Sequence, residues 1–421
     1  MPAMSRRLAL SSLALLLTVP WLAAPLRAAD PRIAAAGDIA CDPADPNFNS
    51  TQGTPSGCHM RATSDLLVGQ GYDAVLLLGD NQYEHGEFAN YLSSFDHTWG
   101  RVKAILRPAP GNHEYYTPGA AGYFRYFGAA AGDPARGYYS FDLGAWHVVS
   151  LNSTCSAVPC ADGSAQERWL RDDLAAHPAR CVLAYWHEPR FSSGPHGSDP
   201  TYDAFWRDLY AAHADVVLSG HDHDYERFAP QDPDGQADAA GMTEFVVGTG
   251  GKNLYAFQSS APNSRVRRND AYGVLALTLH RDGYDWQFLD AASGAALDQG
   301  SALCSPPPCL DGPQTLCLSG RFVAEASWQT PEGASGVGRA RPLTADTGTF
   351  SFFDPANVEL VVKVLDGCGV NGRRWVFAAG LTNLAADLWI TDTASGATRH
   401  YANPQGTSFS PIQDVTAFAC P

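Results

Sequence analysis

The chain has 421 residues, of which 45% are hydrophobic and 17% charged; this excludes disorder, collagen-like repeats and low-complexity sequence, and leaves room for more than one packed domain. Acidic residues outnumber basic ones 44 to 28, for a formal charge of −16, so the bulk charge invites neither a nucleic-acid duplex nor an anionic membrane.

At the N-terminus, Arg6 and Arg7 precede an apolar run over residues 8–19 and then the small pair Ala28-Ala29. That order predicts a secretory signal over residues 1–29, and the run is short of the roughly 20 residues that a spanning helix needs, so no membrane span is expected. Ser5-Arg6-Arg7-Leu8-Ala9-Leu10 also resembles a twin-arginine signal, with Ala9 where such signals carry Phe, and both export routes stay open. A secreted or periplasmic location follows. Ten cysteines agree with an oxidising compartment: Cys41 with Cys58, Cys155 with Cys160 and Cys304 with Cys309 are spaced for local bridges, leaving Cys181, Cys317, Cys368 and Cys420. Cys181, at the head of an apolar run, reads as a buried free thiol.

From residue 30 to about 300, short apolar runs alternate with helix-period stretches, the pattern of an α/β layer fold. Five apolar runs end in polar groups that can bind metal: Gly37-Asp38, Gly79-Asp80-Asn81-Gln82-Tyr83, Gly111-Asn112-His113-Glu114, His187, and Gly220-His221-Asp222-His223. If the runs are strands, all five groups sit at the carboxyl ends of strands in one sheet, where ligands of open α/β sheets bind. The glycines before four of them allow a sharp turn off the strand. Residues 61–70, 88–99, 165–176 and 202–212 read as amphipathic helices crossing the sheet. Within 137–152, Asp142-Leu143-Gly144 between two apolar runs predicts a hairpin, and strands are expected at 243–247, 274–279 and 284–288. The fold class is α/β with a mixed sheet, as one sheet or two stacked. The stretch 301–316, rich in Pro, Ser and Cys, reads as a linker, and 317–421 as a small all-β, sandwich-like domain with no cluster of His and carboxylate.

Asp38, Asp80, Tyr83, Asn112, His187, His221 and His223 make seven oxygen and nitrogen donors, more than one ion needs and about right for two. The ordered series resembles the calcineurin-like metallophosphoesterases, and within them the purple acid phosphatase pattern GDxG, GDxxY, GNH(E/D), VxxH and GHxH. It departs at Ala40 and Ala184, neither of which removes a ligand. The resemblance implies an α/β/β/α sandwich and a pair of Fe(III) with Zn, Fe or Mn(II). Asp38, Asp80, Tyr83 and His223 would hold the trivalent ion, and Asp80, Asn112, His187 and His221 the divalent one, with Asp80 bridging. It further implies hydrolysis of small-molecule phosphate monoesters by a metal-bound hydroxide, with His113 as the acid for the leaving group. Glu114 is expected to orient His113, and Arg190 and His196, which follow His187 closely, are candidates for contacts to substrate oxygens.

A phosphodiesterase or nucleotidase on the same site is the alternative, since the metal core handles either ester. A secreted binding protein with a structural metal centre, acting through its C-terminal domain, is the alternative from another class. Through its stretches Asp346-Thr-Gly-Thr-Phe-Ser-Phe-Phe353 and Val364-Leu-Asp-Gly-Cys-Gly-Val-Asn371, that domain resembles a cysteine-bounded module at the end of various secreted bacterial proteins, a resemblance that names no partner. His59, His97, His147, His177 and His213 lack ligand spacing and read as structural or exposed. Gly248-Thr249-Gly250-Gly251 reads as a turn after a strand, because it lacks the Lys-Ser/Thr of a phosphate loop.

Overall fold

A computed structural model describes residues 30–177, 179–306 and 309–420, so the expected signal segment lies outside the described residues. The first domain carries strands β1 (Arg32–Ala36), β2 (Ala74–Leu78), β3 (Leu106–Ala109), β4 (Tyr139–Leu143), β5 (Trp146–Ser150), β6 (Cys181–Tyr185) and β7 (Val216–Ser219). These are followed by β8 (Tyr225–Phe228), β9 (Thr243–Val247), β10 (Ser264–Arg268), β11 (Gly273–His280), β12 (Gly283–Asp290) and β13 (Ala296–Leu303).

The strands form two sheets, ordered β13-β12-β11-β1-β2-β3 and β10-β8-β9-β7-β6-β5-β4. β1, β2 and β3 run parallel in the first sheet, and β5, β6, β7 and β9 run parallel in the second. The expectation that the five motif strands share one sheet is therefore corrected: three belong to one sheet and two to the other. The error has a physical origin. A run buried on both faces gives no alternation to read, so the sequence cannot show which layers it separates. Along β6, Cys181, Leu183 and Tyr185 join the core between the sheets, while Val182 and Ala184 join a second core that includes Leu170, Leu174, Phe205 and Trp206. β7 divides Val216 and Leu218 from Val217 in the same way.

The helix Ala165–Ala176 occupies its expected span, because the Ser164 hydroxyl accepts from Glu167 N and caps it. The helix expected over 61–70 stops at Asp65, and the one over 202–212 is the helix Asp203–Ala211. The stretch 88–99 is not one helix: Phe88–Asn90 opens into a wider turn over Tyr91–Phe95, where Asp96 N donates to Tyr91 O and Phe95 N is taken by Gln82 Oε1. The helix Ala121–Phe127 escaped sequence reading, because Tyr123, Phe124, Tyr126 and Phe127 are all buried and leave no polar stripe. β4 and β5 form the expected hairpin, closed after Leu143 by Gly144, whose φ of 64° only glycine adopts readily.

His147 of β5 is buried, with Nδ1 2.7 Å from Asp142 Oδ1 and Nε2 2.9 Å from Asp173 Oδ2. Both ring nitrogens face carboxylates, so the imidazolium is the form that fits. Burial works against the charge, but the hydrogen bonds to Asp173 and Asp142 prevail and raise the pKa above its ordinary value. A raised histidine pKa contributes stability that is complete below about pH 6.5 and is lost as pH rises through the folded value. His147→Gln should therefore lower unfolding free energy by about 2 kcal/mol at pH 5, with the difference from wild type shrinking above neutrality. Denaturant melts at pH 5 and pH 9 check this; a pH-independent difference would contradict it.

All ten cysteines are paired: Cys41–Cys58, Cys155–Cys160, Cys181–Cys304, Cys309–Cys317 and Cys368–Cys420. The first two match the expected local bridges. Cys181 is not a free thiol, and Cys304 turns away from Cys309: it directly follows β13 and reaches the start of β6, whereas the proline run after it disfavours a tight loop.

β13 takes up residues 301–303 of the stretch read as linker, and no strand lies between Leu303 and Thr315 among the described residues. Beyond it two five-stranded antiparallel sheets pack around Leu316, Phe322, Phe350, Val362, Val376, Leu388 and Phe418, an all-β sandwich. The two domains meet where the Arg281 guanidinium donates to Glu325 Oε2 at 2.6 Å and lies 3.7 Å over the Trp389 ring. No described helix is long and apolar enough to cross a membrane.

Candidate metal centre

The carboxyl ends of β1, β2, β3, β6 and β7 deliver the seven expected donors to one place. Asp38, Asp80 and His221 sit at φ of 60°, 46° and 68°, left-handed conformations that non-glycine residues hold only where the surroundings enforce them. Two glycines are demanded by close approach. Gly79 has φ 84° and a Cβ there would lie 2.5 Å from His187 Cβ; a Cβ on Gly111 would lie 2.2 Å from Asp80 Oδ1.

The donors fall into two groups. His223 Nδ1 is 2.7 Å from Asn253 O, so the ring donates there and Nε2 keeps its lone pair. That Nε2 lies 3.0 Å from the Tyr83 hydroxyl and 3.2 Å from Asp38 Oδ1, and the hydroxyl lies 2.8 Å from Asp38 Oδ1 and 3.1 Å from Asp80 Oδ2. In the second group His187 Nδ1 faces Leu78 O at 2.8 Å, which frees Nε2. His187 Nε2 is 3.2 Å from Asp80 Oδ2, 3.2 Å from Asn112 Oδ1 and 3.1 Å from His221 Nδ1. Asp80 Oδ2 belongs to both groups. Backbone hydrogen bonds fix the other carboxylate oxygens: His221 N donates to Asp38 Oδ2 at 2.8 Å, and His113 N to Asp80 Oδ1 at 2.9 Å.

The chemistry of this set fits cations. Buried lone pairs converge with too few protons to separate them, an arrangement that repels itself unless positive charge lies between. Burial, then Asp38 and Asp80, push the Tyr83 phenol well above its ordinary pKa, so only a strongly Lewis-acidic ion makes it a phenolate. Burial, then His187 and His196, pull His221 down to about 3, which leaves it neutral and able to ligate. Burial opposes the charge on Asp80, but with no cation between them the imidazolium form of His187 holds that carboxyl below its ordinary range, the place that a bound cation would take over.

His113 stands at the edge of the set, with Nε2 3.7 Å from Asp80 Oδ2 and Nδ1 2.6 Å from Glu84 O. Glu114 does not orient it. One residue on along the helix Asn112–Tyr116 turns the side chain about 100° away, into the interior. There Glu114 Oε1 accepts from Asn81 N, Gln82 N and the Tyr91 hydroxyl, and Oε2 from Gly111 N. Glu114 thus ties the loop after β2 to the loop after β3, and burial, then Asp80, push its pKa up to about 8.

Arg190 is not directed at the donors: its guanidinium is engaged by Asp203 and packs on the Phe191 ring, because the helix Asp203–Ala211 begins beside it. His196 is at the site, with its ring 3.9 Å from the His221 ring and its Nδ1 held by Asp222 Oδ1 at 2.8 Å. Buried carboxylates clamp the loop that carries it: Glu244 accepts from Arg190 N and Phe191 N, and Glu226 from Ser193 N and its hydroxyl. Sequence reading missed these, together with Tyr255, which stacks on His223 at 3.9 Å and 8°. It also missed Lys252, whose amide donates to Asp38 O and whose amine pairs with Asp45 and Glu84. The signal for Lys252 was its place directly after the Gly248-Thr249-Gly250-Gly251 turn, which meets the chain just past β1 where Gly250 N donates to Gly37 O.

The Calcineurin-like phosphoesterase family model matches residues 31–225. Purple acid phosphatase 15 of Arabidopsis thaliana is 27% identical over 265 residues, covering 52% of this chain and 45% of the relative. Purple acid phosphatase 21 of the same plant is 34% identical over 202 residues, covering 45% and 44%. Among solved structures, purple acid phosphatase PPD1 from yellow lupin (Lupinus luteus) seeds shares the fold with a TM-score of 0.56 at 18% identity, over 66% of this chain and 54% of that one. The chain spans about half the length of the curated relatives it matches, or slightly less. With the donor series at its strand ends, the first domain is a calcineurin-like metallophosphoesterase domain related to the purple acid phosphatases.

Proposed function

We propose that this chain is an exported, dinuclear metal-dependent phosphoesterase that hydrolyses phosphate monoesters. The observation that carries the reading is the meeting of two complete donor groups on Asp80 Oδ2. Asp38, Asp80, Tyr83 and His223 would hold Fe(III), whose hardness suits a phenolate; Asp80, Asn112, His187 and His221 would hold Zn, Fe or Mn(II). Such a pair, when bound, supplies Lewis acidity and a water acidic enough to act as nucleophile near neutral pH.

The chain supplies the rest. His113 donates a hydrogen bond through Nδ1–H to Glu84 O, so Nε2 is the atom that can carry a proton towards a departing alkoxide. His196, with Nδ1 fixed by Asp222, offers its other nitrogen to a phosphate oxygen. Arg190 has no part in this reading, since Asp203 already takes its guanidinium. Five disulfides support export to an oxidising compartment.

The test is hydrolysis of nitrophenyl phosphate against bis(nitrophenyl) phosphate by metal-replete protein lacking residues 1–29. Preference for the monoester is expected. Preference for the diester would move the function to phosphodiesterase, and turnover of neither would contradict the reading.

A further inference from the structure

Among the exposed large hydrophobic side chains of the described first domain, Tyr116 is the one aromatic; the others are Val68, Leu92 and Leu303. An exposed tyrosine alone says little. Tyr116, however, is 55% open to solvent and yet held in place. Its hydroxyl accepts from Asn112 Nδ2 at 3.1 Å, because the two residues lie at i and i+4 on the helix Asn112–Tyr116. Its ring lies 4.7 Å from the His113 ring and 5.8 Å from the His85 ring. A planar apolar face is thereby fixed at the rim of the donor set, beside the residue placed to protonate the leaving group.

Hydrolysis of a monoester consumes one water, breaks the P–O ester bond and moves the His113 Nε2 proton to the departing oxygen. The substituent on that oxygen must then lie alongside His113. On the inner side of His113 stands Tyr83, its ring 4.4 Å away and buried, with no room for a substituent. On the outer side stands Tyr116.

We infer that Tyr116 is a specificity-determining residue whose ring is the platform on which an aromatic leaving group stacks. The site then favours phosphate monoesters of aryl and arylalkyl alcohols over those of aliphatic alcohols of similar acidity. This rests on the phosphoesterase reading. The hydroxyl has a separate role: it turns the Asn112 amide so that Oδ1 faces His187 Nε2.

The test compares 2-phenylethyl phosphate with butyl phosphate, whose leaving alcohols are closely matched, and measures calorimetric binding of the matching phosphonates, which reads stacking without turnover. Wild type should favour the aromatic member about tenfold in kcat/KM and in Kd, the effect of one aromatic pair. Tyr116→Ala should bring both ratios to within about twofold of unity. Tyr116→Phe should keep the ratios while lowering turnover of both esters, since the ring stays and Asn112 loses its tether. No preference in wild type, or an unchanged ratio in Tyr116→Ala, overturns the platform. If neither ester is hydrolysed, the reaction reading fails, and the phosphonate ratio still decides the platform.

Discussion

Asp80→Asn should remove bound metal and turnover together. The substitution keeps the size and shape of the side chain, so the fold has no reason to change. It replaces a carboxylate oxygen by an amide nitrogen that donates and cannot ligate. Either orientation of the amide is harmful. With nitrogen at the Oδ2 position both donor groups lose their shared member, 3.1 Å from the Tyr83 hydroxyl and 3.2 Å from His187 Nε2. With nitrogen at the Oδ1 position it faces the His113 amide, itself a donor, in a site where Asp80 is almost fully buried. We expect a loss in kcat/KM of at least about a thousandfold, beyond the 10- to 100-fold typical of groups that only support a ligand. Metal content by mass spectrometry should fall in parallel. A variant that keeps its metal and its rate would refute the assignment. The contrast is Tyr83→Phe, which leaves the divalent group intact and should abolish the visible phenolate-to-iron absorption; a native protein that is colourless under oxidising conditions would rule out iron there.

Replacing Cys181 and Cys304 together by serine should cost about 3–5 kcal/mol of unfolding free energy, the range for a bridge that closes a loop of this order. The two cysteines are 123 residues apart, the longest separation of the five bridges. The bond joins the start of β6 in one sheet to the residue after β13 at the edge of the other. Arg180 strengthens the same corner: its guanidinium donates to the carbonyls of Cys304 and Ser305, and Asp215 accepts from Ser305 N and Val182 N. Urea midpoints under oxidising conditions measure the effect. A loss below about 1 kcal/mol would mean that these hydrogen bonds hold the corner without the bridge. Cys155–Cys160, with a separation of 5, offers a control in which little chain entropy is at stake.

The donor series was legible because each member stands at a fixed offset from the end of an apolar run, and strand ends are where side chains of distant segments converge. The helix Ala165–Ala176 was legible for a similarly local reason, its serine cap. What escaped was non-local. Nothing near Cys304 announces Cys181, and Glu114, adjacent to His113 in the chain, works on three backbone amides that only the folded loops bring together. Arg190 misled for the same reason, since proximity to His187 in sequence says nothing of Asp203, which takes its charge.

The contact of Arg281 with Glu325 and Trp389 fixes which end of the catalytic domain carries the sandwich. Arg281 lies in the turn between β11 and β12, and β11 runs antiparallel to β1 with Thr278 opposite Arg32, so that turn is at the amino end of β1. The donors are at the carboxyl ends, roughly 15 Å further along at about 3.3 Å per residue. The sandwich therefore sits behind the first domain, and the mouth beside Tyr116 and His196 faces away from it, so a body resting against the sandwich would leave that mouth uncovered.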